Sequence, residues 1–148
     1  MPVSRNHKKE VLSMSNEHKL IAKFETMINT ADESLAAELI AEDAIFYAPT
    51  QPEPLKGPKG YLFIVQMMRS AFSDIQWHLA DCVIEPNKIA VCWNCTGTHD
   101  GEFMGHPATG KTFKVRCMNF YELKEGKFIS DIGNPDILGI LIQTGILQ

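Results

Sequence analysis

Thr112-Phe113-Lys114-Val115-Arg116-Cys117-Met118-Asn119-Phe120-Tyr121-Glu122-Leu123 is the stretch that decides the fold. Phe113, Val115, Cys117, Asn119 and Tyr121 fall on one parity; Lys114, Arg116, Met118, Phe120 and Glu122 fall on the other. Successive side chains of a strand point to opposite faces, so a period of two over this length predicts a long, half-buried strand. Downstream, Glu125-Gly126 predicts a turn into a last strand, Lys127 to Gly133, and an apolar helix from Asp136 to Gly145. Asp136 is placed to cap that helix. Upstream lies a loop from Gly97 to Gly110 with Pro107 inside it. Before the loop, Ile89, Val91, Trp93 and Cys95 alternate with Ala90, Cys92, Asn94 and Thr96. Pro86-Asn87 joins that run to an earlier one, in which Ile75, Trp77 and Leu79 alternate with Gln76, His78 and Ala80. The two runs read as a long hairpin.

The period changes in the first half of the chain. Leu20, Ile21, Phe24, Met27 and Ile28 are spaced as one stripe of a helix that ends near Asn29-Thr30. Asp32 can cap a shorter helix with Leu35, Ala36, Leu39 and Ile40 inward. Ala44 to Ala48 reads as a short strand, broken by Pro49, Pro52, Pro54, Gly57 and Pro58. A third helix is predicted over Lys59 to Phe72, burying Tyr61, Ile64, Val65, Met68 and Phe72. Helices first and long antiparallel strands last give an α+β fold, with the helices on one side of the sheet. The strands exceed the usual length of ~5–6 residues, so the sheet is expected to bend over the helices around an apolar pocket.

The composition agrees with one domain. The chain has 148 residues, 45% hydrophobic and 22% charged, with a net charge of −4. That charge offers no basic face to a nucleic acid. Residues 1–15 are expected to be a flexible tail and 16–148 a single domain. The start is polar and basic (Arg5, His7, Lys8, Lys9) and lacks the apolar core of a signal peptide. No run approaches the ~18 apolar residues of a membrane helix. Cys92 and Cys95 form a CxxC without a second pair, short of the four clustered ligands of structural zinc. The four cysteines, Cys82, Cys92, Cys95 and Cys117, read as reduced thiols, which suits a cytoplasmic protein.

Several blocks occur in a recognisable order: Glu53-Pro54-Leu55-Lys56-Gly57-Pro58-Lys59-Gly60 before a helix; Thr96-Gly97-Thr98-His99-Asp100-Gly101-Glu102-Phe103-Met104-Gly105, then Pro107 and Thr109-Gly110-Lys111; and Tyr121, Gly126-Lys127 and Asp136-Ile137-Leu138-Gly139. From about Glu17 to Gly145 the chain resembles the SnoaL-like polyketide cyclase family (ester-cyclase-like proteins) of the nuclear transport factor 2-like superfamily. The resemblance implies a cone-shaped, curved antiparallel sheet wrapped on N-terminal helices around a deep apolar pocket. It also implies acid/base chemistry without cofactor or metal. In the characterised cyclases a carboxylate and a histidine on the last two long strands remove a proton from an acidic carbon and steer an intramolecular aldol closure. Their histidine aligns with Asn119 and their carboxylate with the vicinity of Gly133.

Asp131, on the same face as Gly133, is the substitute base; the other reading leaves it solvated near the strand end. A three-residue loop with Gly126 as the bulge residue would set Asn119 opposite Asp131 and Cys117 opposite Gly133. Asn119 or Tyr121 would bond the developing oxyanion. His99, on the parity of Trp93 and Cys95, is placed at the pocket mouth, either catalytic or fixing its own loop by a hydrogen bond. Tyr47, Trp93 and Tyr121 are read as pocket lining, together with Phe24, Met27 and Met68; the aromatics and methionines serve equally as core. Met118, Phe120, Phe128 and Ile132 form an apolar stripe on the outer face, a candidate homodimer surface. The expected ligand is a small apolar or aromatic, polyketide-like molecule. Either a cyclase, isomerase or hydrolase acts on it, or a non-catalytic binding protein holds it.

Overall fold

The computed structural model describes residues 15–48 and 51–148. The tail expected over residues 1–15 falls outside this range except for Ser15, and Pro49 also lies outside it. Ser15 is the N-cap of α1 (Asn16–Thr30), its hydroxyl accepting from the His18 N–H. The predicted stripe is the buried face: Ile21, Phe24, Met27 and Ile28. Asp32 caps α2 (Glu33–Leu39) by accepting from the Leu35 N–H. α3 (Gly57–Ala71) starts two residues earlier than the sequence suggests, with Pro58 in its first turn, where a missing N–H costs nothing. α4 (Ile137–Gln143) is capped by Asp136, whose side chain accepts from the Gly139 N–H. None of the helices among the described residues is long and apolar enough to cross a membrane.

The strands are β1 (Ile40–Phe46), β2 (Leu55–Lys56), β3 (Gln76–Glu85), β4 (Lys88–Thr98), β5 (Thr112–Lys124) and β6 (Lys127–Pro135). They form one sheet in the order β2-β1-β6-β5-β4-β3. Strand pairing and register both differ from expectation. β1 starts at Ile40, and it pairs parallel with β6, so the sheet is mixed rather than wholly antiparallel. No hairpin links β1 to β6, so no short turn dictates their relative direction. The short β2 was not anticipated; it pairs back on β1 beyond the proline-rich segment.

The second difference is register. The β5–β6 turn is a two-residue loop, Glu125-Gly126, with φ of 51° and 75°, the positive pair that a type I′ turn requires. Lys124 then pairs with Lys127 and Leu123 with Phe128, but Glu122 pairs with Ser130. Ile129 is therefore an extra residue, a bulge. Beyond it Asn119 faces Gly133, Cys117 faces Pro135 and Tyr121 faces Asp131, two residues from the predicted pairing. The two-residue turn sets Phe128 opposite the buried Leu123, on the inner face, where it is fully buried, so Phe128 does not belong to the outer apolar stripe. Met118, Phe120 and Ile132 are exposed as expected, joined by Val83.

α1 packs on β3, α3 on β1, and α4 on β5. Trp93, Tyr121, Phe24, Phe46, Phe72 and Phe128 are the largest fully buried side chains. Phe24 lies at their centre, with ring centroids 5.2 Å from Tyr61, 5.0 Å from Tyr121 and 4.6 Å from Phe128. Such aromatic clusters contribute large buried area and fixed geometry. The core does not close completely: between the inner sheet face, α3 and α4 it leaves a cavity.

Candidate active site

The cavity has a volume of about 440 Å³, within the usual range of small-molecule sites. α3 contributes Tyr61, Ile64, Val65 and Met68, and α4 contributes Ile137 and Ile140. The sheet contributes Trp93 and Cys95 from β4, Cys117, Asn119 and Tyr121 from β5, and Asp131 and Gly133 from β6. Tyr47, Gln51, Glu102 and Met104 also border the cavity; Tyr47 and Met104 are exposed, which places them at its mouth.

The polar groups gather around Asp131. Asn119 Nδ2 donates to Asp131 Oδ1 at 2.8 Å, and the Tyr61 hydroxyl donates to Asp131 Oδ2 at 3.3 Å. Trp93 Nε1 donates to the Tyr121 hydroxyl at 3.2 Å. Each oxygen of the carboxylate thus meets a neutral donor, and among the described residues no cation pairs with it. Burial pushes the Asp131 carboxyl up to about 6, while the bonds from Asn119 and Tyr61 pull it back. Burial, with the Asp131 charge as a smaller cause, holds the Tyr61 and Tyr121 hydroxyls well above their ordinary value. Near neutral pH the group therefore consists of a weakly basic carboxylate and two phenols that stay protonated.

The bulge at Ile129 is what delivers Asp131 to this position. Without the extra residue, the strand would present Asp131 to the outer face, because a one-residue slip exchanges the two faces. Of the residues expected to form the site, Asp131, Asn119, Tyr121, Trp93, Met68 and Tyr47 line the cavity. Phe24 and Met27 do not; both are fully buried. Phe24 packs behind Tyr61, Trp93 and Tyr121, so it supports the wall from the back.

His99 is also absent from the wall. It is fully buried, and its Nδ1 accepts from the Thr109 N–H at 3.3 Å and lies 3.1 Å from Thr109 Oγ1. Its ring faces Phe72, with centroids 5.7 Å apart. The loop is clamped over it: Asp100 accepts from the Ser73 N–H at 2.9 Å and from the Ser73 hydroxyl. Gly101 lies so close to the Ser70 carbonyl that a side chain has no room. The pocket-mouth placement of His99 is thus corrected to a sealed position under its own loop.

Sequence reading missed two contributors. The helical period places Tyr61 only on the buried stripe of α3, and nothing in that period distinguishes a phenol that reaches a carboxylate. Gly133 was noted for what it lacks, not for the space it provides. The CxxC places Cys92 on the outer face and Cys95 on the inner, since residues three apart on a strand point opposite ways. All four thiols are free. Among the described residues, no three His, Cys, Asp or Glu side chains cluster closely enough to hold a metal ion.

Comparison with known proteins agrees with this architecture. Residues 18–144 match the family model of the SnoaL-like polyketide cyclases. Aklanonic acid methyl ester cyclase DauD of Streptomyces sp. (strain C5) is 28% identical over 139 residues, covering 89% of this chain and 83% of that protein. Aklanonic acid methyl ester cyclase DnrD of Streptomyces peucetius is 28% identical over 139 residues, covering 89% and 92%. Among solved structures, wild-type IdmH from Streptomyces antibioticus superposes with a TM-score of 0.76 at 26% identity, over 89% of this chain and 99% of that one. TsrD from Streptomyces laurentii superposes with a TM-score of 0.80 at 23% identity, over 92% and 99%, a likeness of fold. With its family model spanning nearly the whole described domain, and with a curved sheet enclosing an apolar cavity, the chain belongs to the SnoaL-like polyketide cyclase family.

Proposed function

We propose that this protein is a cofactor-independent cyclase or isomerase that uses Asp131 as an acid/base on a carbonyl-activated, polyketide-like substrate. The observation that carries the reading is a carboxyl pushed up to about 6 on the wall of an otherwise mostly apolar cavity. A base serves best when its pKa lies near the working pH. The carboxylate takes a proton from a carbon flanked by carbonyl groups. The resulting enolate attacks a second carbonyl of the same molecule, forming a C–C bond, and Asp131 returns the proton to the new alkoxide. The remaining amide hydrogen of Asn119 and the Tyr121 hydroxyl are the neutral donors this reading assigns to the developing oxyanion. Aromatic walls (Tyr47, Trp93, Tyr121) and Met68 suit a flat, largely apolar ligand.

Two relatives named as aklanonic acid methyl ester cyclases make that ester the first substrate to assay, alongside simpler β-diketone esters. Exchange of the acidic C–H for deuterium, followed by NMR, reports proton abstraction even where ring closure does not follow. Catalysed exchange that vanishes in Asp131→Asn supports the reading. Tight binding of these esters with neither exchange nor closure would instead establish a non-catalytic binding protein.

The exposed Met118, Phe120 and Ile132 are the basis for proposing a homodimer through the outer sheet face; a monomer by light scattering at micromolar concentration sinks that assignment. Four free thiols make a reducing compartment, the cytoplasm, the proposed setting.

A further inference from the structure

Gly133 has no backbone reason to be glycine. Its φ lies outside the left-handed region, and it sits in the regular part of β6, directly opposite Asn119 on β5. Directly opposed side chains on one sheet face normally stand beside each other at close range. Here one of the pair is missing. A β-carbon built on Gly133 would stand 2.5 Å from Asn119 Nδ2 and 3.6 Å from Asp131 Oδ1. The Asn119 side chain thus occupies the space that any other residue at 133 would fill. It crosses that space to Asp131, two residues along β6, and donates at 2.8 Å. The amide orientation follows from the chemistry: turned the other way, its oxygen would oppose the carboxylate.

We propose that Asn119 and Gly133 form one positioning device for Asp131, in which the bare α-carbon at 133 is the gap through which the Asn119 amide reaches and orients the carboxylate. Its catalytic consequence rests on the reading of Asp131 as the base; the contact itself rests on geometry. Asn119 holds Oδ1 from β5 and Tyr61 holds Oδ2 from α3. Two donors from different elements fix the plane of the carboxylate, so its remaining lone pairs keep one direction relative to the cavity. Residue 133 controls this by size alone: a single methyl group there displaces the amide and leaves the carboxylate to the Tyr61 hydroxyl. Asn119 is in this role a positioning residue, acting through Asp131.

The test is a carbon-detected NMR titration of the Asp131 carboxyl in the full-length protein, assigned by its loss in Asp131→Asn. Removing a donor to the charged form raises the midpoint. Asn119→Ala and Gly133→Ala are each expected to move it upward by about one pH unit. The double variant should shift no further than Asn119→Ala alone, because without the amide a methyl at 133 has nothing to displace. With substrate, kcat should fall and the pH profile of kcat/KM should move with the midpoint, while KM changes little. Midpoints that stay within about 0.3 unit of the parent in both single variants, or additive shifts in the double variant, overturn the proposal. Should Gly133→Ala fail to fold, the Asn119→Ala midpoint decides alone. The shifts need no substrate: if they occur while no diketone ester exchanges its proton, the catalytic reading falls and the positioning device stands.

Discussion

Asp131 of β6 and His99, just past the end of β4, are two titratable side chains that sequence reasoning singles out as acid/base candidates. Their surroundings differ in every respect that matters for chemistry. Asp131 borders a cavity of about 440 Å³, with a neutral donor on each oxygen. His99 is sealed beneath the loop that carries it, bonded to Thr109 through one ring nitrogen; the other has no hydrogen-bond partner among the described residues. Burial alone therefore does not make a reactive group. Asp131 combines low polarity with access for a ligand, whereas His99 has the first without the second. The histidine works as a pillar: Phe72 on one side, Thr109 on another, and the Asp100–Ser73 clamp holding the cover in place.

The strongest way to break this contrast is Asp131→Asn. Turnover should fall by about a thousandfold, within the usual contribution of a general base, as measured by kcat/KM on any substrate the wild type converts. The same variant should be more stable than the parent at neutral pH. The folded-state value of about 6 lies above the ordinary 3.8, so folding favours the protonated form. That contribution is complete below about pH 4 and is lost as pH rises through 6. The advantage of Asp131→Asn should grow over this window and level off above it, reaching on the order of 3 kcal/mol. Thermal unfolding at a series of pH values checks the sign; a variant less stable than the parent at pH 7 contradicts it.

His99→Ala should show the reverse pattern. Loss of a fully buried ring and of its bonds to Thr109 should cost about 2–4 kcal/mol in urea unfolding, while turnover per folded molecule stays within about twofold. A hundredfold loss of kcat in a folded His99→Ala protein would put the histidine back into the chemistry. The pH profile sharpens the same point. With Asp131 as the base, kcat/KM should rise about tenfold per pH unit below 6 and flatten above it, and His99→Ala should leave that midpoint in place. The smallest expected effect is Thr109→Val, which removes only the hydroxyl facing His99 and should cost about 1 kcal/mol, with no change in kinetics.

Much of this was legible beforehand. The stripe from Leu20 to Ile28, the two N-capping aspartates and the alternation in β3, β4 and β5 rest on local spacing, and each element appeared where its spacing placed it, with ends moved by a few residues. The cavity wall was partly legible for the same reason: Trp93, Asn119 and Tyr121 share the inward parity of their strands. Three features were not. The parallel pairing of β1 with β6 joins residues some eighty-five apart, and no local pattern encodes it. Tyr61 and Asp131 meet across seventy positions. The loop over His99 is fixed by Gly101 against the Ser70 carbonyl, a contact that neither segment announces alone.

By itself, then, the sequence determined the elements and the inward face of β4 and β5, because period and parity are properties of neighbouring residues. The tertiary structure decided which ionisable group meets the cavity. A single extra residue at Ile129 turns Asp131 inward, and a single missing side chain at Gly133 lets Asn119 reach it. Both depend on how two strands are aligned, and alignment is set by the packing of the whole sheet rather than by either strand.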